Sequence, residues 1–236
     1  MTETEDAWPL PDYDNGPPKH VHAIGVIALT YATLQSAMDR LFLNRAKSKW
    51  AEKYYYLLNE EKRSDAIKEV FKNDGPGVVD AVGNVGNIVT YFDWCRACRN
   101  ILLHAESYPS DGVPFPGDAL ALIKQLKKKG ATEPGYTLQT LQELRDVADR
   151  MRDGIVQCAK IDLFVRYQGR AETLPDKYRE HARSLPANLP VPKPIALAPS
   201  PRAFVALRLQ ADARRPTRQN VAGGRTGTTQ TRLSRS

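Results

Sequence analysis

The residues best equipped for chemistry stand together in Arg99-Asn100-Ile101-Leu102-Leu103-His104. An imidazole moves protons near neutral pH, a guanidinium stays charged and grips phosphate through paired N–H bonds, and a carboxamide orients either group. Phosphodiester cleavage needs an activated 2′-hydroxyl, a protonated leaving oxygen and positive charge against the phosphate, and these three side chains supply all of them. On a helix, Asn100 and His104 fall one turn apart on the same face, while Arg99 lies about 140° from His104. One isolated helix therefore does not bring Arg99 and His104 to a common point. Arg96, one turn before Asn100, adds charge as a substrate-binding residue. A purely structural role is the competing explanation, because cations near a helix C-terminus complement its dipole without further duty.

Other motifs carry less. Cys95 and Cys98 form a C-x-x-C with no second pair, and Cys158 stands apart, so all three read as small core residues rather than zinc ligands. His20 and His22 read as a helix entry, since two imidazoles fall short of a usual ligand set. No glycine-rich phosphate loop and no Gly-x-Ser-x-Gly elbow occurs, so neither metal nor cofactor is expected. Three cysteines and an acidic N-terminal stretch without an apolar run fit a reduced, cytoplasmic protein.

The motif needs helices to hold it. Residues 1–19, with four prolines, read as a flexible leader. Over residues 20–43, Ile24, Ile27, Leu34, Met38, Leu41 and Phe42 recur at helical spacing and predict a long first core helix. Residues 50–71 continue the pattern with a break near Asn59 and Ser64 as N-cap of the second piece, stopped by Asn73-Asp74-Gly75-Pro76-Gly77. Residues 78–105 carry the broadest apolar stripe, in which Gly83 and Gly86 leave room for close helix approach. Thr140 and Glu143 form a capping box that opens a last helix running to about Arg166. Between these two helices, residues 119–129 fit a strand or a short helix equally. The prediction is an all-α, four-helix up-down bundle over residues 20–168, with that short insert before the last helix. Eight of the seventeen prolines follow residue 168, so residues 169–236 read as a disordered Pro/Arg-rich tail.

An Arg, a polar residue, three apolar residues and a His late in a long helix of such a bundle resembles the R-x4-6-H motif of HEPN domains, the higher eukaryotes and prokaryotes nucleotide-binding superfamily. The resemblance covers roughly residues 20–166, with one sharp motif and otherwise helix order. It implies a homodimer in which the motif helices of two subunits meet, and metal-independent endoribonuclease action on RNA through Arg99, Asn100 and His104. It further implies a toxin or phage-defence setting with an antitoxin-like protein partner. Members with degraded motifs serve as nucleotide-binding or interaction modules. The alternative is therefore a non-catalytic helical module whose basic tail tethers it to nucleic acid or a partner.

Length and charge set the outer limits. A chain of 236 residues, 42% apolar and 26% charged, supports one core with appendages and excludes collagen-like and disulfide-scaffold classes. The net charge of +7 divides unevenly: 22 basic residues face 23 acidic ones up to Arg170, and 12 face 4 beyond it. Charge thus speaks for a tail, with Arg214, Arg215, Arg218, Arg225, Arg232 and Arg235 able to hold nucleic acid in a salt-sensitive way. The most apolar run, residues 23–34, is interrupted by Thr30, Tyr31 and Thr33 and is too short for a bilayer, so no membrane role is expected.

Overall fold

The structure is a computed structural model that describes residues 18–46, 48–72, 79–107, 119–128, 131–200 and 203. The expected leader, apart from Pro18 and Lys19, and the arginines of the far tail lie outside the described residues. The elements are α1 (Pro18–Ala46), α2 (Lys49–Leu57), α3 (Glu60–Lys72), α4 (Val79–Leu103), β1 (Glu106–Ser107), β2 (Leu120–Lys128), β3 (Ala131–Gln139), α5 (Leu141–Tyr167) and α6 (Asp176–Arg183). The fold is mainly helical. Its core is a single cluster to which α1 gives Ile27, Leu34, Met38 and Leu41, α3 gives Ile67 and Phe71, α4 gives Val85, Ile88 and Phe92, and α5 gives Leu144, Met151 and Ile161. Burial of each such side chain stabilises the fold by about 1.5–3 kcal/mol. By length and composition α1 is apolar enough to cross a membrane, but the apolar residues just named are its buried face.

The break near Asn59 is present, and its chemistry differs from the expectation. Leu58 is extended, and the Asn59 carboxamide oxygen accepts from the Lys62 amide at 2.9 Å, so Asn59 is the cap and α3 restarts one residue later. Ser64, expected at that position, is buried inside α3 and donates to Asp93 of α4 at 3.2 Å. The extra reversal through α2 changes the helix order. Leu34 packs on Gly154, Cys158 meets Met38 at 3.4 Å and Asn44 donates to Asp162 at 2.8 Å, so α1 and α5 run parallel. A plain four-helix up-down order would set the first and last helices antiparallel. The antiparallel neighbours include α3 and α4, joined by Glu60–Arg99 and Ser64–Asp93.

Close approach falls at a different glycine from those expected. A Cβ on Gly154 would sit 3.1 Å from Leu34 Cδ1, whereas among the described residues nothing lies within 4 Å of one on Gly83 or Gly86. The Thr140–Glu143 capping box forms as expected, and Glu143 returns to the Thr140 amide at 2.8 Å.

The insert is β-structure. Its described part, residues 119–128, holds β2, which pairs antiparallel with β1 through Glu106↔Ile123 and with β3 from Leu120↔Gln139 to Lys128↔Ala131. A helix there is ruled out by β3, which buries Leu138 and Thr137 and gives β2 a partner along its whole length.

Disorder from residue 169 is also corrected for the described part of the tail. After a stop at Gly169 (φ +75) and the short α6, residues 184–198 run as an extended strap over the bundle. Prolines cannot build helix, yet they favour an extended backbone whose carbonyls remain free to accept. Here side chains of the bundle donate to them. Asn84 reaches the carbonyl of Pro186 at 2.6 Å, Gln157 that of Ala187 at 2.7 Å and Trp94 Nε1 that of Lys193 at 3.0 Å. Asn87 both donates to and accepts from the Leu189 backbone, at 3.0 and 2.9 Å, and Ala198 exchanges two bonds of 2.8 Å with Tyr136 of β3.

Candidate functional site

Arg99 lies in the last turns of α4, where three elements converge on its guanidinium. From α3, Glu60 accepts from Nη2 at 3.0 Å; from α4 itself, the Asn100 carboxamide accepts from Nη1 at 2.7 Å; from α1, the Tyr31 ring lies 4.6 Å below. Tyr31 is fixed in turn by stacking on Phe92, with centroids 5.5 Å apart, and its hydroxyl donates to the second Glu60 oxygen at 3.3 Å. The four side chains form a closed network of one cation, one anion, an amide and a phenol. Burial, and then the neighbouring Glu60 carboxylate, push the Tyr31 hydroxyl well above the ordinary phenol range, so it acts as a donor throughout. Arg99 and Glu60 keep 22% and 31% of their side chains exposed, so the network sits at the surface of the bundle and not within it.

Two further contacts tie the region down. Lys124 of β2 donates to the Asn100 carbonyl at 2.8 Å, and burial lowers the pKa of its ammonium. Arg96 turns to Asp93, 3.1 Å away, an acid that also receives the Ser64 hydroxyl. Its charge is therefore partly offset locally, and among the described residues it makes no hydrogen bond to Asn100, although its charge still acts on Tyr31.

His104 is the first residue past α4, exposed, with no hydrogen-bond or ion-pair partner among the described residues. Because the helix ends at Leu103, the helical-wheel angle between Arg99 and His104 does not apply to the imidazole. The chain turns there toward β1, which pairs with β2. Of the expected site residues, then, Arg99 and Asn100 touch, Arg96 is held aside by Asp93, and His104 stands apart at the helix end.

Glu60 and Tyr31 belong to the site and were not legible beforehand. They lie 39 and 68 positions before Arg99, and neither stands in a local motif.

The remaining candidates are structural. Cys95, Cys98 and Cys158 are free and buried. Loss of solvent pushes Cys98 and Cys158 up to about 12 and Cys95 higher still, which makes them poor nucleophiles and poor metal ligands. His20 is buried in the first turn of α1 while His22 is exposed, so the two do not converge. Among the described residues no group of three His, Cys, Asp or Glu side chains is placed to hold a metal ion.

No family model, curated protein or solved structure matches this chain.

Proposed function

We propose that the chain is a metal-independent endoribonuclease of HEPN type, acting as a cytoplasmic homodimer in which two copies of the α4 end face one groove. The observation that carries this reading is Arg99: a partly exposed guanidinium aimed by Glu60, Asn100 and the Tyr31 ring, five residues before an exposed imidazole that has no partner among the described residues. The bundle in this reading is α1, α3, α4 and α5, with α2 as an added element. In the reaction one His104 removes the proton of the 2′-hydroxyl, whose oxygen attacks phosphorus. The bond to the 5′-oxygen breaks and the second subunit's His104 protonates that oxygen, leaving a 2′,3′-cyclic phosphate and a 5′-hydroxyl. Arg99 offsets the charge that gathers on the phosphoryl oxygens, and Asn100 holds it in orientation.

A second reading has its own support. The Glu60 ion pair compensates Arg99 internally, which suits a structural role and a non-catalytic interaction module.

Purified protein incubated with single-stranded RNA in EDTA decides between them. The expected outcome is cleavage with cyclic-phosphate ends, lost by at least a hundredfold in Arg99→Ala and in His104→Ala. Absence of cleavage by the wild type, or cleavage by both variants at the wild-type rate, removes Arg99 and His104 from catalysis and favours the non-catalytic module.

A further inference from the structure

Helix α2 buries Tyr55, rests Ala51 against the core and displays its other side chains. Tyr55 anchors it, with its ring stacked on Phe42 at 4.2 Å and its hydroxyl donating to Asp39 at 2.7 Å. Outward, Trp50 is 81% exposed, Tyr54 66% and Leu57 83%. Spacings of four and three place these on a single face. Large apolar side chains are exposed singly on most proteins, and a contiguous stripe of them marks a contact surface.

Cations are interleaved with the rings. Lys53 Nζ lies 5.4 Å from the Trp50 centroid, and the Arg63 guanidinium of α3 lies 5.6 Å from that of Tyr56. Lys49 and Lys53 outnumber Glu52, the one acid of α2. Docking of this face on its own copy across a twofold axis would set Lys49 and Lys53 against like charges. A partner with flat apolar faces joined by an anionic backbone fits better, because rings take the faces and cations the backbone.

We propose that the exposed face of α2 is a stacking platform for the bases of single-stranded RNA. On its inner side α2 reaches the neighbourhood of Arg99, since Tyr55, Arg63 and Glu60 line one small cavity and Glu60 is the carboxylate on Arg99. A strand stacked on Trp50 and Tyr54, on the outer side of the same helix, would have to pass around α2 to reach Arg99. Placement of the strand there rests on the ribonuclease reading, whereas binding by stacking is a separate property.

The test uses the full chain and a fluorescently labelled oligo-dT, which lacks the 2′-hydroxyl and so reports binding without cleavage. Trp50→Ala and Tyr54→Ala each weaken binding by about five- to hundredfold, and Trp50→Phe keeps most of the affinity. Both residues are exposed, so neither variant disturbs the core. In a Trp8→Phe background, tryptophan emission is quenched by the oligonucleotide, and the quench disappears when Trp50→Phe is added because the remaining Trp94 is buried. Equal affinities of wild type and both alanine variants overturn the platform. A response of Trp50 to protein concentration alone, or to phosphatidylserine vesicles and not to oligo-dT, overturns it as well. Oligo-dT binding through Trp50 by a protein that leaves RNA intact upholds the platform and removes the ribonuclease.

Discussion

Arg99 has five N–H donors, and Glu60 and Asn100 occupy one on each terminal nitrogen, which among the described residues leaves three for the phosphate of the proposed reaction. The same division explains what the sequence made visible. Arg99, Asn100 and His104 are adjacent in the chain, so their chemistry could be read locally, whereas Glu60 and Tyr31 arrive from α3 and α1 through packing alone. Cysteine usage could also be read locally, and it carries a pH dependence. Burial raises Cys98 and Cys158 from an ordinary 9.0 to about 12. The folded protein then keeps protons that the unfolded chain releases above pH 9, so this stabilisation is complete below that point and fades as pH rises toward 12. Cys95 and the buried hydroxyls of Tyr31, Tyr55 and Tyr91 shift in the same direction and deepen the effect. The thermal midpoint is expected to hold from pH 7 to 9 and to fall above it, and Ellman's reagent at pH 8 is expected to label no thiol in the folded protein and three in urea. A thiol that reacts in native buffer at the rate found in urea contradicts the burial.

Element boundaries were legible where a side chain caps the backbone and obscure where the pairing partner is distant. The capping box at Thr140 is such a local signal, and so is the break at Asn59, although the cap is Asn59 itself and not Ser64. Strand β3 hides behind Pro134 and Gly135, residues that argue against a strand until β2 supplies its register. Glycine placement shows the same limit, because a sequence reveals which residues lack a side chain and not which backbone is crowded. Gly83→Ala and Gly86→Ala are each expected to stabilise by about 0.5–1 kcal/mol, the helix-propensity difference, since nothing described lies within 4 Å of either new methyl. Gly154→Val is expected to destabilise by about 1–3 kcal/mol, because its branched carbons would enter the contact with Leu34 that sets the spacing of α1 and α5. Urea midpoints of the three variants measure this, and a destabilised Gly86→Ala would show that α4 makes its close approach there after all.

At the scale of the molecule, the strap redraws where the body ends. Composition predicted a boundary near residue 169 because a proline-rich stretch shows no helical period, and an extended segment bound through its carbonyls leaves no periodic trace in sequence. Hydrogen bonds from five residues, Asn84, Asn87, Trp94, Gln157 and Tyr136, hold residues 186–198 against α4, α5 and β3. Each removed contact leaves a donor at the bundle surface without its acceptor, and Leu185, Leu189 and Ile195 leave the core with it. The charge is uneven along the chain as well. Residues 204–236 hold seven arginines and one aspartate, a net of +6, so the body through residue 203 is left at +1 out of +7. Two truncations therefore behave differently. Ending the chain after residue 203 is expected to leave the thermal midpoint within a few degrees of wild type while reducing the slope of log affinity against log salt for RNA, because up to seven phosphate contacts are lost. Ending it after Arg170 removes the strap and α6 and is expected to destabilise the bundle by several kcal/mol, so a loss of RNA binding in that variant reports unfolding and not the tail. Calorimetry and salt titrations on both proteins check the pair. A shorter chain as stable as the longer one would mean that the strap rests on the bundle without supporting it, and then the carboxamides of Asn84 and Asn87 gain from the strap no more than water offers them.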